Sequence, residues 1–397
     1  RNATRRWRDI AVSAVFLIND NHKILIIKFR HIGDVLLTAP LISTLKQNNP
    51  TNRIYAVVKQ GTEAMLEGHP DLEQLYISPS RDKGESKFTF LKRYTQWVWQ
   101  LRKENFSIAI NTTSGDRGII LSFLIGAKTR IGILKKNDEK WWRRWMITHP
   151  AKSINGRHHT VIGNLSLADS ALSTPNNTCY EVKLTFTPND LTTVKEVLSA
   201  DSSNYQTSRG LIHIHPTSRW LFKCWRDDAV AEVIDWLQKN DYCVVLTAAP
   251  IDEELARIDS ILKQCHTKPI NLAGKLTLKQ LAALSSISNL FFGVDSAPMH
   301  IAASQNTPVI GIFGPSGTFD WGPWPNGWSP ESITSIKTPY PEQNGTQHAA
   351  PHTVIQQKWE CAPCGQDGCD GSKQSRCLDE LSTETVISIL KQHLSEI

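Results

Sequence analysis

The sequence predicts an α/β protein built as two domains, each with a parallel sheet covered by helices. Three observations predict this. Short apolar runs rich in β-branched residues alternate with amphipathic stretches. The alternation breaks down before the middle of the chain and then begins a second time. A chain of 397 residues also exceeds what one hydrophobic core usually organises.

The first series opens at 23–29 (KILIIKF), a nearly unbroken apolar run of the kind found in buried parallel strands. The loop Arg30-His31-Ile32-Gly33-Asp34 follows, then a helix over 35–48 with Pro40 near its start. Strands are predicted at 53–58, 75–77, 107–111 and 130–133, with helices at 61–68, 90–104 and 118–125 between them. Lysines, arginines and tryptophans interrupt the pattern from 134 to 157, and a helix is expected at 160–173. The stretch 186–209 reads as polar and turn-rich, which places the domain junction there.

The second series runs strand 211–215, helix 227–240, strand 243–247, helix 252–264, strand 270–272, helix 277–286, strand 290–294, helix 297–305 and strand 309–313. The domains are therefore an N-terminal extension (1–22), an N-terminal Rossmann-like domain (23–200) and a C-terminal one (201–397) with a Cys-rich segment at 361–377. Two such domains facing a central cleft make a GT-B glycosyltransferase or a nucleotide-sugar epimerase.

Composition narrows the class. Hydrophobic residues make up 40% and charged residues 21%, which excludes a disordered chain. A net charge of +6 is too mild for a dedicated nucleic-acid binder and suits anionic partners such as a nucleotide diphosphate or an acidic membrane surface. No run reaches the roughly 18 apolar residues of a membrane span. Arg5, Arg6, Trp7 and Arg8 precede the apolar run 11–18. Ser13 interrupts that run and no small-residue cleavage site follows, so the extension reads as a surface-touching or solvated tail rather than a signal peptide.

The chemistry concentrates at strand ends. Asp34 follows the first strand, where open α/β sheets bind ligands, and serves there as a helix cap or as a general base. After the strand 211–215, Thr217, Ser218, Arg219 and Lys223 offer hydroxyls and cations for a diphosphate, or form a solvated loop. In Gly293-Val294-Asp295-Ser296-Ala297-Pro298-Met299-His300 a buried strand ends in an acid and a helix opens on small residues, so its first N–H groups can hold an anion. Phe313-Gly314-Pro315-Ser316-Gly317 turns beside it. The chain has no Asp-x-Asp pair to hold a divalent ion.

Taken together, KILIIKFRHIGDVLLTAPLISTLK, HPTSRWLFKCW and NLFFGVDSAPMHIAASQNTPVIGIFGP resemble the ADP-heptose:lipopolysaccharide heptosyltransferases, glycosyltransferase family 9, and lie nearest the heptosyltransferase III branch. The resemblance implies an inverting, metal-independent transfer of L-glycero-D-manno-heptose from ADP-heptose to the lipopolysaccharide inner core, with no cofactor required. It implies Asp34 as catalytic base and Lys223 as phosphate ligand, with Thr217 and Ser218 beside it. Asp295, Ser296, Ala297 and His300 would complete the donor loop, and Glu253 or Glu254 would lie near the adenosine. It also implies a cytoplasmic enzyme held peripherally on the inner membrane of a Gram-negative bacterium, with no nucleic-acid partner. A relative with another acceptor, or a non-catalytic nucleotide-sugar binder, would carry many of the same residues.

Two features stand outside the resemblance. Lys135, Lys136, Arg143 and Arg144, interleaved with Trp141, Trp142 and Trp145, either face the acceptor or the membrane, or sit on a solvated helix whose tryptophans pack inward. Cys361, Cys364, Cys369 and Cys377 have a spacing compatible with structural Zn²⁺ or an iron–sulfur cluster, with disulfides or plain thiols as alternatives. The other four cysteines are scattered, as in a reducing compartment.

Overall fold

The computed structural model describes residues 21–113, 115–134, 140–151, 157–172, 177–201, 207–330 and 337–395. Most of the N-terminal extension, and both Lys135 and Lys136, lie outside the described residues. The described chain forms two compact units that divide between Lys183 and Leu184, with 157–159 belonging to the second.

The first unit runs β1 (Lys23–Lys28), α1 (Ile32–Leu36), α2 (Ala39–Asn48), β2 (Arg53–Lys59), β3 (Gln74–Ser78), α3 (Lys87–Lys103), β4 (Ile108–Asn111), α4 (Asp116–Leu124), β5 (Thr129–Gly132), α5 (Trp141–Met146), β6 (His149–Pro150), α6 (Thr160–Leu165) and α7 (Ala168–Ala171). Its strands pair in the order β3-β2-β1-β4-β5-β6, all parallel. That is the Rossmann order, which reverses direction between β1 and β4 and opens a crevice there. Leu25 and Ile27 of β1 join Tyr55, Val57, Leu101, Leu121 and Ile125 in one cluster. Ile24 and Ile26 point to the opposite face and are equally buried, so β1 is apolar on both sides.

The single helix expected at 35–48 is two. Pro40 cannot donate a helical hydrogen bond, so the chain restarts at Ala39 with Thr38 as its N-cap and proline in the first turn. The helix expected at 61–68 is only a 3₁₀ turn over Glu63–Met65. The one expected at 160–173 is divided into α6 and α7.

The second unit runs α8 (Pro188–Asp201), β7 (Leu211–His215), α9 (Asp227–Lys239), β8 (Cys243–Leu246), α10 (Asp252–Gln264), β9 (Ile270–Asn271), α11 (Leu278–Ser286), β10 (Leu290–Val294), α12 (Ala297–Ser304), β11 (Val309–Phe313), α13 (Thr318–Trp321), β12 (Gln347–Ala349), β13 (His352–Gln356), α14 (Arg376–Asp379) and α15 (Thr383–Ser395). The sheet order is β12-β13-β11-β10-β7-β8-β9, parallel except for β12 at the edge. The Rossmann order thus repeats from β9 to β13, with its reversal between β7 and β10. Ile212, Ile214, Val244, Leu246, Phe292 and Val294 pack on α9 and on Leu378, Val386 and Leu390 of the C-terminal helices.

The stretch read as a turn-rich junction contains α8. Thr187 and Asp190 hydrogen-bond each other's backbone and side chain at its start. Val194 and Leu198 then pack with Ala283 and Leu284 of α11. The boundary of the second unit therefore lies earlier in the chain than residue 201.

Candidate active site

In the first unit, β1 ends in Lys28 and the chain turns through 29–31 into α1. Gly33 is buried in the first turn and Asp34 follows it. Asp34 is 12% exposed. Its Oδ1 lies 3.9 Å from Lys28 Nζ and 3.8 Å from Arg30 Nε. The Lys28 ammonium is buried and reaches Asn164 Oδ1 at 3.4 Å, while the Asn164 amide donates to Leu37 O at 2.8 Å. Burial pulls Lys28 down to about 8; Asp34 opposes that fall and Arg30 adds to it. Asp34 sits in the first turn of α1, whose N-cap is His31, with its carboxylate between the two cations. Lys28 was not singled out from sequence. The available signal was a lysine closing a strand whose four central members are all apolar.

In the second unit the loops after β7 and β10 flank the other reversal. Gly293 brings β10 close to β7; a Cβ there would stand 2.6 Å from His215 O. Lys223 Nζ donates to Asp295 Oδ2 at 2.6 Å, joining the two loops. Thr217 Oγ1 donates to Glu254 Oε2 at 2.7 Å, and the same oxygen accepts from Ala249 N at 3.1 Å. The Thr247 hydroxyl lies 2.8 Å from His213 Nε2 and 2.9 Å from His215 Nδ1. Burial takes His215 down to about 3 and His213 well below its ordinary value, so both rings are neutral and act as hydrogen-bonding struts.

Ser218 is buried in the same loop, and its hydroxyl accepts from Trp220 N at 3.3 Å. Ser296 precedes α12 with extended backbone and makes no cap hydrogen bond, and its hydroxyl is buried without a partner. Ala297 opens α12 with Pro298 behind it, and His300 is buried one turn on. The structure brings Thr217 together with Glu254, and Lys223 together with Asp295. Glu253 is exposed on the outer side of α10 and joins neither group.

The loops are braced from the C-terminal segment. Ser375 Oγ donates to Phe222 O at 2.6 Å, one residue before Lys223. Gln356 Nε2 donates to Gly314 O at 2.7 Å and Ser316 O at 2.9 Å, and Gly365 N donates to Pro315 O at 2.8 Å. These contacts were invisible in the sequence because their partners lie 40 to 153 positions away.

All eight cysteines are free thiols. Cys361 and Cys364 are exposed, Cys369 is half-buried and Cys377 is buried. Burial, with the other three cysteines adding to it, raises Cys377 to about 11. Among the described residues no three His, Cys, Asp or Glu side chains meet in a group that would hold a metal ion. The zinc or iron–sulfur expectation therefore has no assembled site. Arg143 is bound to Asp116, whose other oxygen accepts from Lys140 at 2.8 Å, while Arg144 is exposed. No described helix is long and apolar enough to cross a membrane.

Comparison with known proteins agrees with this fold. The profile described as "Glycosyltransferase family 9 (heptosyltransferase)" matches residues 95–349. Lipopolysaccharide heptosyltransferase 3 of Escherichia coli K12 is 37% identical over 297 residues, covering 74% of this chain and 83% of the relative. The crystal structure of a family 9 glycosyl transferase from Veillonella parvula superposes with a TM-score of 0.75 at 20% identity, covering 96% of this chain and 99% of that one. E. coli ADP-heptose lipopolysaccharide heptosyltransferase II does so with a TM-score of 0.70 at 18% identity, covering 94% and 99%. The sheets share the Rossmann order, strand-end loops carry the charged side chains, and a family profile spans more than half the sequence: the chain is a glycosyltransferase of the GT-B fold and belongs to glycosyltransferase family 9.

Proposed function

We propose that the protein transfers L-glycero-D-manno-heptose from ADP-heptose to the inner core of lipopolysaccharide, as a heptosyltransferase III, with inversion and without a metal. The loops after β7 and β10 carry the donor half of this reading. There a lysine, two hydroxyls and the N-terminus of α12 converge at the reversal of a parallel sheet, and the Ser296 hydroxyl has no protein partner. The acceptor half rests on the 37% identity to a heptosyltransferase 3.

Asp34 takes the proton of the attacking acceptor hydroxyl. Lys28 and Arg30, both within 4 Å of its Oδ1, orient the carboxylate. Lys223 is neutralised by Asp295 until a diphosphate arrives, then shares its charge with the phosphates. As the glycosidic bond to phosphate breaks, charge grows on the departing ADP, and Lys223 with the α12 N–H groups stabilises it. The buried Glu254, fixed by Thr217 and Ala249, shapes the floor for the nucleoside. A lipid-linked acceptor and an ADP-sugar donor together suit an enzyme working at the cytoplasmic face of the inner membrane.

Mass spectrometry of core lipids incubated with ADP-heptose tests the proposal. A gain of one heptose on a core already carrying two is expected. Gain on a shorter core would move the assignment to a different acceptor. Donor binding with no transfer to any core would make the protein a nucleotide-sugar binder.

A further inference from the structure

Helix α3 is built the wrong way round for a solvated helix. Ser86 caps it, accepting from Thr89 N at 3.0 Å. Of its 17 residues only Leu101 is fully buried, with Trp97 and Val98 packed beside it. On the opposite side Phe88 is 79% exposed, Leu91 58% and Trp99 59%. These positions fall on one stripe at helical spacing, and Lys92 and Lys103 lie on the same stripe. The Lys103 ammonium covers the Trp99 ring at 3.4 Å. Five of the 17 side chains are Lys or Arg and none is Asp or Glu.

The stripe does not end with the helix. Arg102 Nη1 donates to Leu124 O at 2.7 Å, joining the end of α3 to the end of α4, where Leu124 is itself exposed. Next to Leu124, Phe123 packs on Trp145 of α5 at 5.0 Å. Trp145 is 63% exposed, and Trp141, one turn away, 77%. Arg144 is exposed between them. Of the two readings of this stretch, inward packing is not found for Trp141 and Trp145, while Trp142 is half-buried. The nearby carboxylates Glu85 and Asp116 are already bound by Arg93 and by Lys140 with Arg143.

We infer that this face, the outward stripe of α3 continued by Trp141 and Trp145, seats the unit on an anionic lipid bilayer. A helix of 17 residues lies flat over about 25 Å. Phe, Leu and Trp enter the headgroup boundary while lysines beside them meet lipid phosphates, the pattern of an interfacial helix. Charge complementarity selects the anionic surface, since the helix carries cations only. The inference rests on a lipid-linked acceptor, which requires the enzyme to work at a membrane.

The test is co-sedimentation of the full chain with phosphatidylcholine vesicles, with and without phosphatidylglycerol. Wild type is expected to bind the phosphatidylglycerol vesicles and to be released by salt. K92Q/K103Q should weaken binding about fivefold per lysine, and F88S/W99S should weaken it in a way that low salt does not restore. All four positions are exposed, so thermal unfolding should be unchanged; if F88S/W99S unfolds, K92Q/K103Q alone decides. A wild type that ignores anionic vesicles, or lysine variants that bind as wild type does, overturns the inference. Transfer to detergent-dispersed acceptor is measured in parallel. It should be unchanged in the variants, and its absence in wild type would refute the transfer reaction while leaving the vesicle result to judge the surface.

Discussion

Lys28 Nζ stands 3.9 Å from Asp34 Oδ1 and is buried at the end of a strand whose four central members are apolar. A buried ammonium is costly unless paired, so the pairing fixes both groups. Replacing Lys28 by Met should lower kcat by about tenfold with little change in donor KM, because the base is misplaced rather than removed. Steady-state kinetics with each substrate varied in turn checks the split. Asp34→Asn should cost more, on the order of 10²- to 10⁴-fold in kcat.

The same lysine predicts a pH dependence. Its folded value is about 8, below the ordinary 10.5. Between those limits the unfolded chain binds the extra proton, so stability gains with rising pH from about 8 to 10.5, and the cost of the buried charge is fully felt below 8. Chemical denaturation across pH 7.5 to 10.5 should show that gain in wild type and lose it in Lys28→Met.

Lys223 and Asp295 form the bridge between the two donor loops. Lys223→Ala should reduce kcat by about 10²- to 10³-fold, since it removes a cation from the leaving diphosphate. Asp295→Asn frees the lysine from its carboxylate and should bind ADP less specifically over other anions, read by calorimetric competition with inorganic pyrophosphate.

Ser375 reaches Phe222 O from 153 residues away and braces the Lys223 loop. Ser375→Ala leaves a buried carbonyl without its donor, a loss of about 1–3 kcal/mol. Donor affinity should fall while the Asp34-dependent step with saturating donor is kept, and ADP titration by calorimetry reads it.

His159 and His215 are held near 3 by burial, against 6.5 for a free ring. The unfolded chain takes up protons below 6.5 where the folded chain does not. Their contribution is therefore present above pH 6.5 and is lost as pH falls toward 3, by up to about 1.4 kcal/mol per pH unit for each ring. Thermal melts from pH 7 to 4 should show a steeper decline in wild type than in His215→Asn.

By itself the sequence determined the two sheets and the strand-end loops. Runs such as 24–27 and 290–294 are apolar on both faces, and only a parallel sheet covered on both sides buries them. Asp34 and Asp295 follow directly from those runs, because a parallel sheet presents the same end of every strand to its ligand. The Thr187–Asp190 cap of α8 was written in the chain too, but polar residues around it resembled a turn. Only the tertiary structure decided what each charged group meets. It set Lys28 beside Asp34, chose Glu254 over Glu253, tied Ser375 to the Lys223 loop, and turned Trp99 and Trp141 outward. Local periodicity reports which face of an element is apolar; it is silent on which distant backbone closes over that face, and burial, ion pairing and exposure are set by that closure.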